Sequence, residues 1–384
     1  MIKRILERAK TIFKLTIKLV AVLLVLTALY SFNLFLMKPF SVDHFLSKEL
    51  ILDLIESPEE LTYVGILDRF DWITKHNSKL SIPQDDDIDN DIKQIEKVIK
   101  TLYKYDDSRL SDIQKSTKKI AIFDYENQLK ELKDFPYLDY PLNQIGGIHL
   151  NTIEFMNSVH PIRSDSEAIA FIQRTDLVKD VYQGVLNHLK KQADNGIYPP
   201  EFVYGHVINQ LDEFINVVNT EHPLYKQFML KIKKLELSND QVDYLEKEIT
   251  RSINESVTPG FKLLRNFMAN TKKNANPNHG IWSQPGGDEY YKLKIRTFTT
   301  TDYSPEEIHQ MGLNEVKRIS SRMREILTSL GYAESKSVGE LMNELNENPD
   351  FLYADTPDRK EIVVNDYTNM VNEAIRVMAD YFHT

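Results

Sequence analysis

Ser238-Asn-Asp-Gln-Val-Asp-Tyr-Leu-Glu-Lys-Glu-Ile-Thr-Arg-Ser-Ile-Asn-Glu-Ser-Val-Thr-Pro-Gly260 is the stretch whose periodicity decides the fold class. Val242, Leu245, Ile249, Ile253 and Val257 recur at three- and four-residue steps, which puts them on one face of an amphipathic helix. Pro259-Gly260 interrupts the pattern. The proline removes a backbone donor and its ring meets the carbonyl four residues earlier, so a kink or break is expected. Helical spacing resumes with Phe261, Leu264, Phe267 and Met268 and runs to residue 270.

The same period governs the sequence on both sides. Upstream, Ser41 can cap a first helix in 41–66, and Ser57-Pro-Glu-Glu60 is a capping box that starts a second. Helices are expected over 89–105 and 109–133, then a connector from Pro136 to Gly147. A long helix over 165–193 begins at Ser164 or Asp165 and stops at Asn195-Gly196. Val203, Val207, Ile208 and Leu211 share one face of the next helix, and another spans 223–234. Downstream, residues 271–287 read as a loop around Trp282. Asp288 to Phe298 suits a helix, although Tyr290, Tyr291, Ile295 and Phe298 also suit a strand. A second box, Ser304-Pro-Glu-Glu307, opens a helix to Leu330 that Gly331 ends. Its expected buried stripe is Ile308, Gly312, Val316, Ile319, Met323, Ile326 and Leu330. A last helix covers 357–381. The residues after the two boxes do not match, so they are no repeat. Few segments alternate at period two, and the body is expected to be all-α.

At the N-terminus, residues 1–18 carry six cations against the single carboxylate of Glu7, and residues 19–36 carry no charge. The apolar run Leu19–Met37 spans roughly 28 Å as a helix, close to one hydrocarbon core. Because the cations precede it, Met1 is expected in the cytoplasm and Phe40 onward across the membrane. A cleaved signal peptide is the competing reading. Ala28 is the small residue available, but Leu26 and Tyr30 flank it poorly, and the run is long for a signal segment. An uncleaved signal anchor is favoured over both that and a buried core helix. The expected division is therefore 1–38, a cytoplasmic basic stub and membrane anchor, and 39–384, a helical extracytoplasmic body. The chain would be single-pass in the cell inner membrane, held through residues 19–37.

Composition narrows function chiefly by exclusion. The chain has no cysteine, which removes disulfides, thiolate metal sites, a thiol nucleophile and a lipidated cysteine. Its net charge is −10 and the body beyond the stub is more acidic still, so nucleic acid is not an expected partner. No two of the ten histidines are closer than eleven residues, so no helical zinc pair exists. GxSxG, P-loop and GxGxxG patterns are also absent. The acidic stretch Ser81–Asp91 lacks the glycine and closing glutamate of a calcium loop and reads as a solvated linker. Glu306-x-x-His309 has a di-iron spacing but no second copy, and both Glu306 and Glu307 also serve the helix dipole.

One segment invites a binding role. Gly280-Ile-Trp-Ser-Gln-Pro-Gly-Gly-Asp-Glu-Tyr-Tyr291 offers an indole, backbone amides freed by glycines, and phenols. Trp282 could equally plug a helix-to-helix loop. Thr299-Thr300-Thr301 could present hydroxyls to a cleft or cap the helix that follows.

That segment, with Thr299-Thr-Thr-Asp302 and Ser304-Pro-Glu-Glu-Ile-His-Gln-Met-Gly-Leu-Asn-Glu-Val316, resembles the bacterial family called domain of unknown function 885. Tyr140-Pro-Leu-Asn-Gln144, Gly196-Ile-Tyr-Pro-Pro200 and Val257-Thr-Pro-Gly-Phe261 add to the resemblance, which runs from about residue 50 to the end. It implies an exported, helical, zincin-like zinc metallopeptidase whose His-Glu-x-x-Pro-Gly-His helix lies further along. No position here matches that helix. The resemblance therefore implies the N-terminal, non-catalytic part of such an enzyme, with no catalytic or metal-binding residue of its own and zinc belonging to the full-length family. Trp282, Tyr290, Tyr291, Thr300 and His309 are its candidate substrate-binding residues. The alternative is a tethered helical module that binds a peptide or protein without cutting it.

Overall fold

The computed structural model describes residues 2–378 and 380–382, with side chains from residue 12 onward. The side chains of Lys3, Arg4, Glu7, Arg8 and Lys10 in the basic stub lie outside the described residues, as does His383. The protein is helical throughout, and no strand occurs among the described residues. It divides into two compact units, Met1–Thr301 and Asp302–Thr384.

The first unit opens with α1 (Ile2–Leu36), whose stretch Ile12–Leu36 is apolar and long enough to cross a membrane. Then come α2 (Val42–Glu56), α3 (Pro58–Val64), α4 (Asp71–Thr74), α5 (Asp87–Leu102) and α6 (Asp112–Asp134). The central helices are α7 (Ile148–Glu154), α8 (Asp165–Asp176), α9 (Val178–Asp194), α10 (Glu201–Asn216) and α11 (Pro223–Ile232). The unit closes with α12 (Asn239–Ser252), α13 (Thr258–Thr271) and α14 (Gly287–Thr299).

The deciding stretch behaves as its period requires, with one difference. Ser238 and Gln241 form a reciprocal capping box, and Leu245, Ile249, Ile253 and Val257 are buried. At the proline, however, the rod does not end. A π-helical turn over Ile253–Val257 joins α12 to α13. The wider turn offsets the carbonyls that the proline ring would otherwise strike, so the helix continues through it. Gly260 serves packing: a Cβ there would lie 2.9 Å from the Tyr182 ring, where α13 crosses α9. Phe261 meets Tyr182 on that contact, with ring centroids 5.4 Å apart.

The expected continuous helix 165–193 is two helices, α8 and α9, parted at Leu177. Neither glycine nor proline marks the break. Tertiary contact stabilises it: Ser256 Oγ, on the π turn, donates to the Asp176 carbonyl (2.8 Å) and accepts from the Lys179 amide (3.0 Å).

Three histidines sit in this core. His149, His160 and His222 are buried, and burial pushes each below the ordinary imidazole value, His222 to about 4. Unfolded, each takes its proton near 6.5; folded, only at lower pH. Their contribution to stability is therefore complete above 6.5 and declines as pH falls below it, for His222 toward about 4. The free energy of unfolding should fall between pH 6.5 and 5, by up to about 1.4 kcal/mol per histidine per pH unit, and the urea midpoint with it. A midpoint that stays flat or rises over that interval would contradict the assignment.

The second unit holds α15 (Pro305–Ser329), α16 (Val338–Glu347) and α17 (Arg359–Met378). Ser304–Glu307 and Ser337–Glu340 cap α15 and α16 with reciprocal boxes. Its expected stripe is not buried. Val316, Ile319, Ile326 and Leu330 are 45–63% exposed, and Leu327 is the residue of α15 that is buried. Helical period identifies a face that is apolar, but whether anything covers it depends on neighbouring chain.

Candidate functional site

The loop between α13 and α14 is held by polar contacts and bare backbone. A Cβ on Gly287 would overlap the Ile281 carbonyl, so glycine is needed for the 3-10 turn Ile281–Ser283 to close on the start of α14. Ser283 Oγ donates to the Gly280 carbonyl (2.7 Å) and accepts from Asn276 Nδ2 (2.8 Å). The Asn276 backbone pairs with Pro199 and Glu201, at 3.0 Å each. Gln284 is buried and its Nε2 donates to the Tyr198 carbonyl (2.6 Å). The loop is thereby strapped to the Tyr198–Glu201 segment, and Gln284 fills the place a plug would take. Trp282 is 61% exposed on this fixed backbone.

Tyr290 is half-buried one turn into α14. Its ring meets Phe135 edge-on, with centroids 5.6 Å apart, and its hydroxyl donates to Glu131 Oε1 (3.4 Å). Lys294 pairs with the same carboxylate and lies 5.1 Å from the Tyr290 ring centroid. Burial, then the charges of Glu131 and Asp139, hold the phenol well above its ordinary value. It stays a neutral donor at every physiological pH. Tyr291 is exposed beside it. Thr300 is also exposed and ends α14 in the left-handed region, at φ 53°. Trp282, Tyr290 and Tyr291 thus share one loop and the first turns of one helix, with Thr300 at that helix's other end. His309 belongs to the second unit, exposed on the first turns of α15.

Glu131 and Phe135 are also wall residues of a cavity of about 500 Å³. Its other walls come from Glu49 and Asp53 on α2, Asp91 and Ile95 on α5, Tyr125 on α6, and Asp139 and His188. His188 Nε2 lies 2.8 Å from Asp139 Oδ1. Burial and then the neighbouring Glu49 push the Asp53 carboxyl up; burial, Asp87 and Asp53 do the same for Asp91. Glu49 is paired by Lys48 and Glu131 by Lys294, but Asp53 and Asp91 repel one another with no ion pair among the described residues, so the cavity favours amide, ammonium or guanidinium groups. The sequence offered no sign of this cavity, because its polar residues come from segments far apart in the chain, α2, α5, α6 and positions 139 and 188. Asp139, next to the family-like segment Tyr140–Gln144, is the nearest to a signal.

Among the described residues, no three of His, Asp and Glu are grouped as a metal ion would require. The donor set does not fit the zinc that the resemblance implies.

A family model described as "Bacterial protein of unknown function (DUF885)" matches residues 58–384. No curated protein matches the chain. Among solved structures it is similar to "the putative lipoprotein from Colwellia psychrerythraea", at 23% identity and a TM-score of 0.75. The match covers 86% of this chain and 59% of that one. It is also similar to "a putative lipoprotein of unknown function from Shewanella oneidensis", at 11% identity and a TM-score of 0.56. That match covers 84% of this chain and 57% of the other. At these identities the likeness is one of fold, and the chain spans less than three-fifths of the length of either structure.

Proposed function

The chain belongs to the bacterial DUF885 family, and from that premise we propose that it is the membrane-anchored, non-hydrolytic N-terminal portion of an exported zinc-peptidase-like protein, whose part is to hold a peptide. One observation carries the reading. The loop ahead of α14 presents Trp282 and Tyr291 to solvent while Tyr290 and Lys294 bind Glu131, a wall residue of the acidic, largely apolar-lined cavity. An exposed indole, a phenol donor and a carboxylate cavity are groups that recognise a peptide's backbone and basic side chains.

Residues 1–38 are the anchor in this proposal and 39–384 the periplasmic body, with the chain single-pass in the inner membrane. The apolar stretch Ile12–Leu36, only 6% of it buried, supports that division. The similar structures are described as putative lipoproteins, a class held to membranes by a lipidated cysteine. This chain has no cysteine, and α1 is the element suited to the same task. In this proposal zinc is a feature of the full-length family and the described residues supply no ligand set for it. A non-catalytic, membrane-tethered helical module that binds a peptide or protein is the second reading, favoured by the closed core of the first unit around Phe171, Tyr182, Phe228 and Phe261.

Trp72 and Trp282 are the two tryptophans, which makes the test direct. In a Trp72→Phe background, titrating a basic peptide should shift Trp282 emission, and the purified chain should not hydrolyse that peptide with or without zinc. No emission change would count against peptide holding. Hydrolysis abolished by a chelator would overturn the non-hydrolytic assignment.

A further inference from the structure

We propose that the pocket where α1 meets α5 binds the phosphate of an anionic phospholipid in the leaflet on the body's side of the membrane. The proposal rests on the reading of α1 as an anchor. The exit of α1 is fixed by its own side chains. Asn33 is buried, its Nδ2 donates to the Lys38 carbonyl (3.0 Å) and its Oδ1 accepts from the Phe40 amide (3.0 Å). The Tyr105 hydroxyl donates to the Pro39 carbonyl (2.8 Å), which ties this turn to the end of α5. Lys38 lies 4.4 Å from the Tyr105 ring centroid and its Nζ donates to the Lys104 carbonyl (3.2 Å).

A cavity of about 470 Å³ opens at this junction. Phe35, Leu36 and Met37 form one wall, and Lys97, Lys100 and Lys104 the other. The lysines recur at steps of three and four, so they form a stripe along one face of α5 and its continuation. The carboxylate that lines this cavity is Glu49, which Lys48 already pairs at 2.5 Å. No ion pair neutralises Lys97, Lys100 or Lys104 among the described residues. Interaction with the α5 dipole accounts for a cation in the last turn, such as Lys100, but not for Lys97 one turn earlier or Lys104 past the end. The site has a hydrocarbon side continuous with the membrane-spanning stretch and a cationic side at headgroup level. A diacyl phosphate ester satisfies both at once, whereas free phosphate satisfies one.

The test uses the full chain in phosphatidylcholine bilayers with spin-labelled phosphatidylglycerol or spin-labelled phosphatidylcholine as probe. The protein should immobilise the phosphatidylglycerol probe with about fivefold preference or more, and about 10 mM inorganic phosphate should leave that preference intact. The triple variant Lys97→Gln, Lys100→Gln, Lys104→Gln should lose it while keeping the wild-type melting curve. A wild type that immobilises both probes equally, or a variant that keeps the preference, overturns the lipid site and leaves the anchor standing. Immobilisation of neither probe overturns the anchor and the site together. Competition by phosphate overturns the assignment to a lipid.

Discussion

Replacing Arg174 by methionine is expected to lower the free energy of unfolding by about 3–5 kcal/mol, seen as a lower urea midpoint at unchanged slope. The side chain is fully buried in α8, yet no carboxylate among the described residues hydrogen-bonds to it. Its Nε donates to the Lys79 carbonyl (2.7 Å), one terminal nitrogen to His160 Nδ1 (2.9 Å), and the other to Thr62 Oγ1 (2.9 Å) and the His76 carbonyl. The guanidinium also lies 5.0 Å from the Phe155 ring centroid. Burial draws its pKa down only to about 10, with Glu59, Asp71 and Asp68 opposing the fall from a distance, so it is charged at neutral pH. Methionine fills much of the volume but leaves the Lys79 carbonyl and His160 Nδ1 without their donor, and it strips the charged donor from the His76 carbonyl and Thr62 Oγ1, which keep only the Lys79 amide and the Pro58 and Asn77 oxygens; that loss of charged hydrogen bonds dominates. Arg174→Lys should recover less than half, because one ammonium cannot reach three separate segments. In the methionine variant, His160 also loses the neighbouring cation that, after burial, holds its pKa down. Its share of the acid sensitivity should shrink accordingly. A loss below about 1 kcal/mol would show that the contacts of Arg174 are incidental.

That residue also marks how far the sequence could be read. The Val242–Val257 face was legible because a helix that packs on one side must repeat its apolar residues every three or four positions. The Ser57 and Ser304 caps were legible because a hydroxyl ahead of orphan amides has one local use. Arg174, between Gln173 and Thr175, reads as a solvated position, and its burial depends on carbonyls about a hundred residues earlier in the chain. The break at Leu177 depends likewise on a hydroxyl from Ser256. The candidate site divides along the same line. Trp282 and Tyr290 belong to a contiguous run whose glycines announce a tight loop. Glu49 and Asp53, one turn apart on α2, meet Asp91 and Asp139 only when α2, α5 and the 135–139 connector come together.

Leu341→Ala is expected to abolish the ordered packing of α16 on α15 while leaving the first unit unchanged. Leu341 and Leu327 are the two apolar side chains buried in Asp302–Thr384, at 0% and 3% exposure, among the described residues. Truncating a buried leucine typically costs about 2–5 kcal/mol. A unit with so small a core has about that much stability or less. Amide exchange over Val338–Glu347 should therefore rise toward the rate of an open chain, while the amides of α9 and α13 around Tyr182 and Phe261 keep their protection. Unchanged exchange in α16 would mean that the capping boxes and helix propensity alone hold it. Val316→Asp supplies the contrast. Val316 is 63% exposed, so its replacement should leave exchange unaltered. It should instead weaken the binding of an apolar dye, because Val316, Ile319 and Ile326 form an apolar face still open to solvent. The pair separates two roles that one helical period cannot distinguish: Leu327 is packed within its unit, and the Val316 face is open to solvent.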